Sequence, residues 1–110
     1  MLDSLATAKC QPCAEGAKSL TDQEADALLI QLPHWSREGS CIAKTYRFKN
    51  YHETMAFVNA TAWISHREDH HPDLVVGYKQ CHVVYTTHTV GGLSRNDFIC
   101  AAKVDALLTL

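Results

Sequence analysis

Residues 52 to 69 contain neither glycine nor proline, and they carry Met55, Phe57, Val58, Ala62, Trp63 and Ile64 at helical spacing. Pro72 then dictates where this long amphipathic helix stops. The proline ring pushes the preceding residue out of the α region, so the chain must unwind at the His70-His71 pair. Two imidazoles are thereby placed at a helix end.

The flanking segments repeat one theme. Thr21-Asp22-Gln23-Glu24 reads as a capping box, and a helix follows through Ala25, Leu28, Leu29 and Leu32 until Pro33. From Trp35 to Phe48 a turn signal at Glu38-Gly39-Ser40 precedes an alternation in which Ile42, Lys44, Tyr46 and Phe48 share one face. Lys44 interrupts that apolar face. After the long helix, Leu74 to Tyr78 and Cys81 to His88 read as two more strands, with Gly77 to Gln80 as turn or bulge. Gly91-Gly92 opens a loop, and Ser94-Arg95-Asn96-Asp97 resembles a second capping box starting a terminal helix with Phe98, Ile99, Ala102, Ala106 and Leu107. The order is α-β-β-α-β-β-α. Hairpins joined by helices predict an α+β fold, an antiparallel sheet covered on one face. Residues 1–19 lack periodicity and read as a flexible N-terminal arm, leaving 20–110 as a single domain.

Composition narrows the function. A net charge of -2 without a Lys/Arg cluster gives no footprint for nucleic acid or an acidic membrane surface. No stretch approaches the roughly 20 apolar residues of a membrane span, and the start lacks the apolar centre of a secretion signal, which predicts a cytoplasmic protein. The five cysteines are odd in number and irregularly spaced, as suits a reducing compartment. Cys10-Gln11-Pro12-Cys13 lacks the second pair a zinc site needs and reads as ordinary thiols of the arm.

Five of the seven histidines lie between positions 66 and 88: His66, His70, His71, His82 and His88. His66 and His70, four apart, would share a helix face, but the His-Arg-Glu-Asp-His order is not HExxH and no third ligand is evident. Neither a metal nor a cofactor is expected. His82 and His88 share a strand face but stand about 20 Å apart, so only one of them can join the helix-end pair. Geometry alone leaves that choice open. Taken singly, His34, His52 and His82 read as surface or hydrogen-bonded core residues. Imidazoles titrate near neutrality, so one can donate a proton while another accepts one. No serine or cysteine stands in a nucleophile motif, which favours elimination or hydration over acyl transfer.

His66, His70-His71-Pro72, Tyr78, His88 and Asp97 resemble the signature of the pterin-4a-carbinolamine dehydratase family: an acidic or histidine residue, His-His-Pro, an aromatic, a histidine and an aspartate. The similarity extends from Leu-Pro-His-Trp35 through the Tyr46-Arg-Phe-Lys strand to the ending Asn-Asp-Phe98-Ile-Cys-Ala-Ala-Lys, about residues 21 to 108. It implies three helices packed on one side of a four-stranded antiparallel sheet. It also implies loss of water from a 4a-hydroxytetrahydropterin, recycling the pterin of aromatic amino acid hydroxylases such as phenylalanine hydroxylase. On this resemblance His70, His71 and His88 are catalytic, and Trp35, His66, Thr87 and Asp97 bind or orient the substrate. Trp35 would form part of the cleft wall, and Asp97 could both cap the last helix and orient an imidazole. The family often has Glu where this chain has His66, so any carboxylate orienting His70 is expected at Glu68 or Asp69. A one-sided sheet leaves edges and an open face, from which a homodimer or homotetramer is expected. The competing reading is a non-catalytic interaction module, since animal members of the family also act as dimerisation cofactors of a transcription factor.

Overall fold

The computed structural model of the chain describes residues 4–109; residues 1–3 of the expected arm and Leu110 lie outside them. Seven principal elements follow the expected order: α1 (Asp22–Leu29), β1 (Ser36–Glu38), β2 (Cys41–Arg47), α2 (Tyr51–Glu68), β3 (Asp73–Val76), β4 (Gln80–Tyr85) and α3 (Arg95–Ala106). All strand pairs are antiparallel, in the spatial order β1-β2-β4-β3. The fold is α+β.

Local chemistry sets the helix ends. The Thr21 hydroxyl accepts the Glu24 amide at 3.1 Å and the Glu24 carboxylate accepts the Thr21 amide at 2.9 Å, closing the expected capping box. α1 stops at Leu29, short of Leu32, because its last turn tightens into bonds from Gln31 to Leu28 and from Leu32 to Leu29 ahead of Pro33. α2 begins at the Asn50 cap and ends one residue before Asp69, which takes a left-handed conformation at φ 51°. That reversal, followed by Pro72, turns the chain out of the helix as the sequence requires.

Strand parity builds the core. Ile42 and Tyr46 of β2 and Cys81, Val83 and Tyr85 of β4 are buried with Phe57 of α2 and Phe98, Cys100 and Val104 of α3. Lys44, which shares this helix-facing parity, is not an unmatched charge: its Nζ donates to Asp105 of α3 at 2.8 Å and lies 4.5 Å from the Tyr46 ring centre. Asp105 also accepts from the Tyr46 hydroxyl and from Trp35 Nε1, the latter at 3.1 Å, so one carboxylate ties the hairpin and Trp35 to the last helix. The opposite face carries Thr45 and His82, whose side chains hydrogen-bond across the β2–β4 ladder at 2.8 Å.

Two expectations need revision. β4 ends at Tyr85, so His88 is not a strand residue; it opens a short 3-10 turn, His88–Val90, after Thr87 pairs with Gly92. The six-residue strand separation between His82 and His88 therefore does not exist. Second, the N-terminal segment, expected as a loose arm, touches the domain at specific points: Leu5 is buried, Lys103 donates to the Ala6 carbonyl at 2.9 Å, and the Cys10 amide donates to Glu68 at 2.9 Å. Partners for this segment lie on α2 and α3, which local periodicity does not register.

Candidate active site

The chain leaves α2 through Asp69 and delivers His70 against the end of β4. The His70 ring stacks on the buried Tyr85 ring, with centroids 5.8 Å apart and planes 14° from parallel. Its Nε2 lies 2.6 Å from Oδ1 of Asp97, a side chain with no solvent exposure. Asp97 belongs to the first turn of α3, and its Oδ2 accepts the Ser94 amide at 2.9 Å and the Thr87 hydroxyl at 2.8 Å. The Thr87 proton is committed to Asp97, so the Ser94 hydroxyl, 2.8 Å away, donates to Thr87. Every component that fixes Asp97 also fixes His70.

This geometry does two things. The carboxylate caps α3 and holds an imidazole with the same three-atom group, the dual role expected of Asp97. Because a carboxylate only accepts, the ring nitrogen facing it, Nε2, carries the donating proton, and Nδ1 points away from Asp97. The orienting acid is thus Asp97 and not Glu68 or Asp69. Glu68 instead accepts the Cys10 amide and lies 3.8 Å from Lys103. Burial alone would push the Glu68 carboxyl up, yet the Cys10 amide and the Lys103 charge hold it below the ordinary carboxylate value.

His70 lines a cavity of about 280 Å³ together with Asp69, His71, Asp73, Val84, Thr86, Thr87, His88 and Thr89. A second cavity, of about 390 Å³, shares Asp69, His70, Thr87 and Thr89 and is lined on another side by Lys9 to Cys13 of the N-terminal segment. The structure brings together His70, His71, His88, Thr87 and Asp97. His82, hydrogen-bonded on the open sheet face, is not among the lining residues. Both His71 and His88 are exposed on the wall, whereas His70 is mostly buried.

Two expected site residues stand elsewhere. Trp35 is 5% exposed and packs in the core against Tyr46 and Tyr85. It is not among the residues lining the cavity, although its ring and that of His70 both contact Tyr85. His66 lies exposed on the last turn of α2 with its ring 5.5 Å from Trp63, while His70 lies beyond the helix, so the two do not share a helix face. Among the described residues, no three His, Cys, Asp or Glu side chains are placed to hold a metal ion. No helix of the described residues is long and apolar enough to cross a membrane.

Several contributors were not singled out from sequence. Asp73 directly follows Pro72, and only the chain reversal at Asp69 brings it onto the wall. Tyr85, the platform under His70, could have been flagged only by its parity with Cys81 and Val83. Its hydroxyl is buried without a hydrogen-bond partner among the described residues, and burial pushes its ionisation far above the usual tyrosine range.

The profile of the family described as Pterin 4 alpha carbinolamine dehydratase matches residues 18–107. A protein of Nitrosospira multiformis, named by inference a pterin-4-alpha-carbinolamine dehydratase, is 57% identical over 109 residues, covering 99% of this chain and 96% of the relative. A protein of Nitrosomonas eutropha with the same name is 61% identical over 105 residues, covering 94% and 93%. Among solved structures, a transcriptional coactivator/pterin dehydratase from Brucella melitensis superposes with a TM-score of 0.79 at 26% identity, over 82% of this chain and 98% of that one. A pterin dehydratase-like protein identified as a RuBisCO assembly factor in the alpha-carboxysome gives a TM-score of 0.60 at 28% identity, over 69% and 90%. The chain belongs to the pterin-4a-carbinolamine dehydratase family.

Proposed function

We propose that this protein removes water from a 4a-hydroxytetrahydropterin to give the quinonoid dihydropterin, with His70 at the centre of the proton transfer. The observation that carries this reading is the His70 Nε2 to Asp97 Oδ1 contact of 2.6 Å at the wall of a polar cavity. Departure of hydroxide from C4a needs a proton delivered to the leaving oxygen and one withdrawn from a ring nitrogen. An imidazole held in one tautomer supplies one side of that exchange through Nδ1, and His88, which lines the same cavity, supplies the other. His71 places the pterin, while Thr87 acts through Asp97, to which its hydroxyl is bonded.

The competing reading is an interaction module with no reaction of its own, such as a dimerisation cofactor of a transcription factor. Both solved relatives are named with roles besides dehydration, transcriptional coactivator for one and RuBisCO assembly factor for the other. Capping α3 needs the Asp97 carboxylate but not an imidazole bonded to it at the wall of a cavity, and burying such a pair is costly, so the pair goes beyond what a docking module requires. It favours chemistry. The test is turnover of chemically generated 4a-hydroxytetrahydropterin by the purified chain, with and without chelator. Catalysis above the spontaneous rate in both conditions is expected; a rate equal to the blank would leave the interaction module standing.

In the cell this step would return pterin to an aromatic amino acid hydroxylase, phenylalanine hydroxylase being the natural link. Self-association belongs to the same proposal. β3 is an edge strand, and Val75 and Tyr78 beside that edge are each 67% exposed, which suits a homodimer or homotetramer. A sedimentation mass of one chain at micromolar concentration would contradict it.

A further inference from the structure

The docked N-terminal segment brings one thiol against another. Cys10 Sγ lies 3.5 Å from Cys100 Sγ, across 90 residues of sequence, and the two thiols form a buried hydrogen bond. Cys100 has no exposure, whereas Cys10 forms part of the wall of the cavity of about 390 Å³ beside His70. A small solute entering that cavity therefore meets Cys10 first. The position of Cys10 is fixed independently of the sulfur contact: its amide donates to Glu68, and the neighbouring Gln11 exchanges two hydrogen bonds with Asn96 at 3.0 and 2.7 Å.

We propose that Cys10 and Cys100 are an oxidisable dithiol which a peroxide converts to a disulfide, pinning the N-terminal segment to α3 beside the Asp97–His70 pair. The Cys10 sulfur attacks a peroxide oxygen, the O–O bond breaks, and Cys10 becomes a sulfenic acid as water or an alcohol leaves. Cys100 sulfur then attacks the sulfenic sulfur, its proton goes to the departing hydroxide, and one molecule of water is released in this step. The two thiols lose two electrons and the peroxide gains them. Roles are asymmetric: the hydrogen bond to Cys10 and burial push the Cys100 thiol far above its usual range, which suits the resolving partner and not the first nucleophile.

Bonding requires the sulfurs to close to about 2.0 Å, a movement of about 1.5 Å that falls to the short segment outside the sheet and helices. The link would join the wall of the second cavity to the helix that carries Asp97, since Cys100 lies one turn beyond it. A crosslink over so long a loop removes much freedom from the unfolded chain and should raise Tm by on the order of 10 °C.

The experiment treats the reduced full chain with hydrogen peroxide, alkylates the remaining thiols under denaturing conditions and maps linked peptides without reductant. A Cys10–Cys100 peptide is expected, reversible by thiol reductant, retained in Cys13→Ser and lost in Cys10→Ser, with the rise in Tm present only in the linked protein. A Cys10–Cys13 link would overturn the proposal, as would a Cys100 that remains fully alkylatable after Cys10 has oxidised. An unchanged Tm in the linked protein would overturn the pinning role.

Discussion

Replacing Asp97 by Asn changes one atom and one charge, and the surroundings determine how the amide must sit. Oδ2 of Asp97 faces two donors, the Ser94 amide and the Thr87 hydroxyl, so the Asn oxygen has to occupy that side. The amide nitrogen then faces His70 Nε2, where the carboxylate now stands at 2.6 Å. A donor against Nε2 forces that nitrogen to accept and moves the imidazole proton to Nδ1, the wrong tautomer for the proposed exchange. Losing charge from these hydrogen bonds should cost about 1–3 kcal/mol of stability, less than the roughly 5–15 kcal/mol of a typical domain, so the variant should stay folded. Turnover should fall by about 10² to 10⁴, the range for a mis-set acid-base imidazole. Steady-state turnover of the generated carbinolamine, together with nitrogen NMR of the His70 ring, measures both effects. In a His70→Ala background the same substitution should lower turnover no further. Turnover within about tenfold of wild type, with the tautomer switched, would refute the reasoning.

The remaining predictions test separate parts of the account. His88→Ala should lower turnover by about 10² to 10⁴, whereas His82→Ala, which loses the bond to Thr45 on the open sheet face, should stay within a few-fold; equal effects would reassign the second proton-transfer group. Tyr85→Phe removes a buried hydroxyl that has no partner among the described residues and keeps the ring under His70, so a thermal melt should show stability unchanged or raised by about 1 kcal/mol with turnover retained. A collapse of turnover would show that the hydroxyl serves the reaction. Glu68 is held below its ordinary carboxyl value of 4.5, so the stability it contributes is complete above that pH and is lost as pH falls through the lower folded value. The Tm gap between wild type and Glu68→Gln should therefore narrow below about pH 4; a gap that widens there would contradict the assigned partners.

Much of the fold is legible because its signals are local. Pro72 and the capping boxes at Thr21 and Ser94 mark helix ends through chemistry within four residues, and the alternation around Ile42 and Tyr46 marks a strand. What the sequence hides is long-range. The apparent flaw at Lys44 is resolved by Asp105, and the apparently loose arm is held by Glu68, Asn96 and Lys103, all distant in sequence. The break between Tyr85 and His88 was missed because Thr86 and Thr87 are good strand formers, and the bridge to Gly92 that ends the strand depends on a loop closing back. In the site, the His70, His71, His88 and Asp97 set was readable from family spacing, and these residues do meet. Trp35 and His66 do not join them, because spacing records neither the packing of Trp35 into the core against Tyr46 and Tyr85 nor the left-handed turn at Asp69 that parts His70 from the helix carrying His66.

The central claim is that His70 is the proton-transfer group of a pterin dehydration. Its most direct test is the rate at which purified wild type and His70→Ala convert chemically generated 4a-hydroxytetrahydropterin to quinonoid dihydropterin, with folding of both checked by thermal melt. The account predicts a wild-type rate well above the spontaneous one and a loss of about 10² to 10⁴ in the variant. Equal rates for the two folded proteins, or a wild-type rate no faster than the uncatalysed reaction, would contradict it.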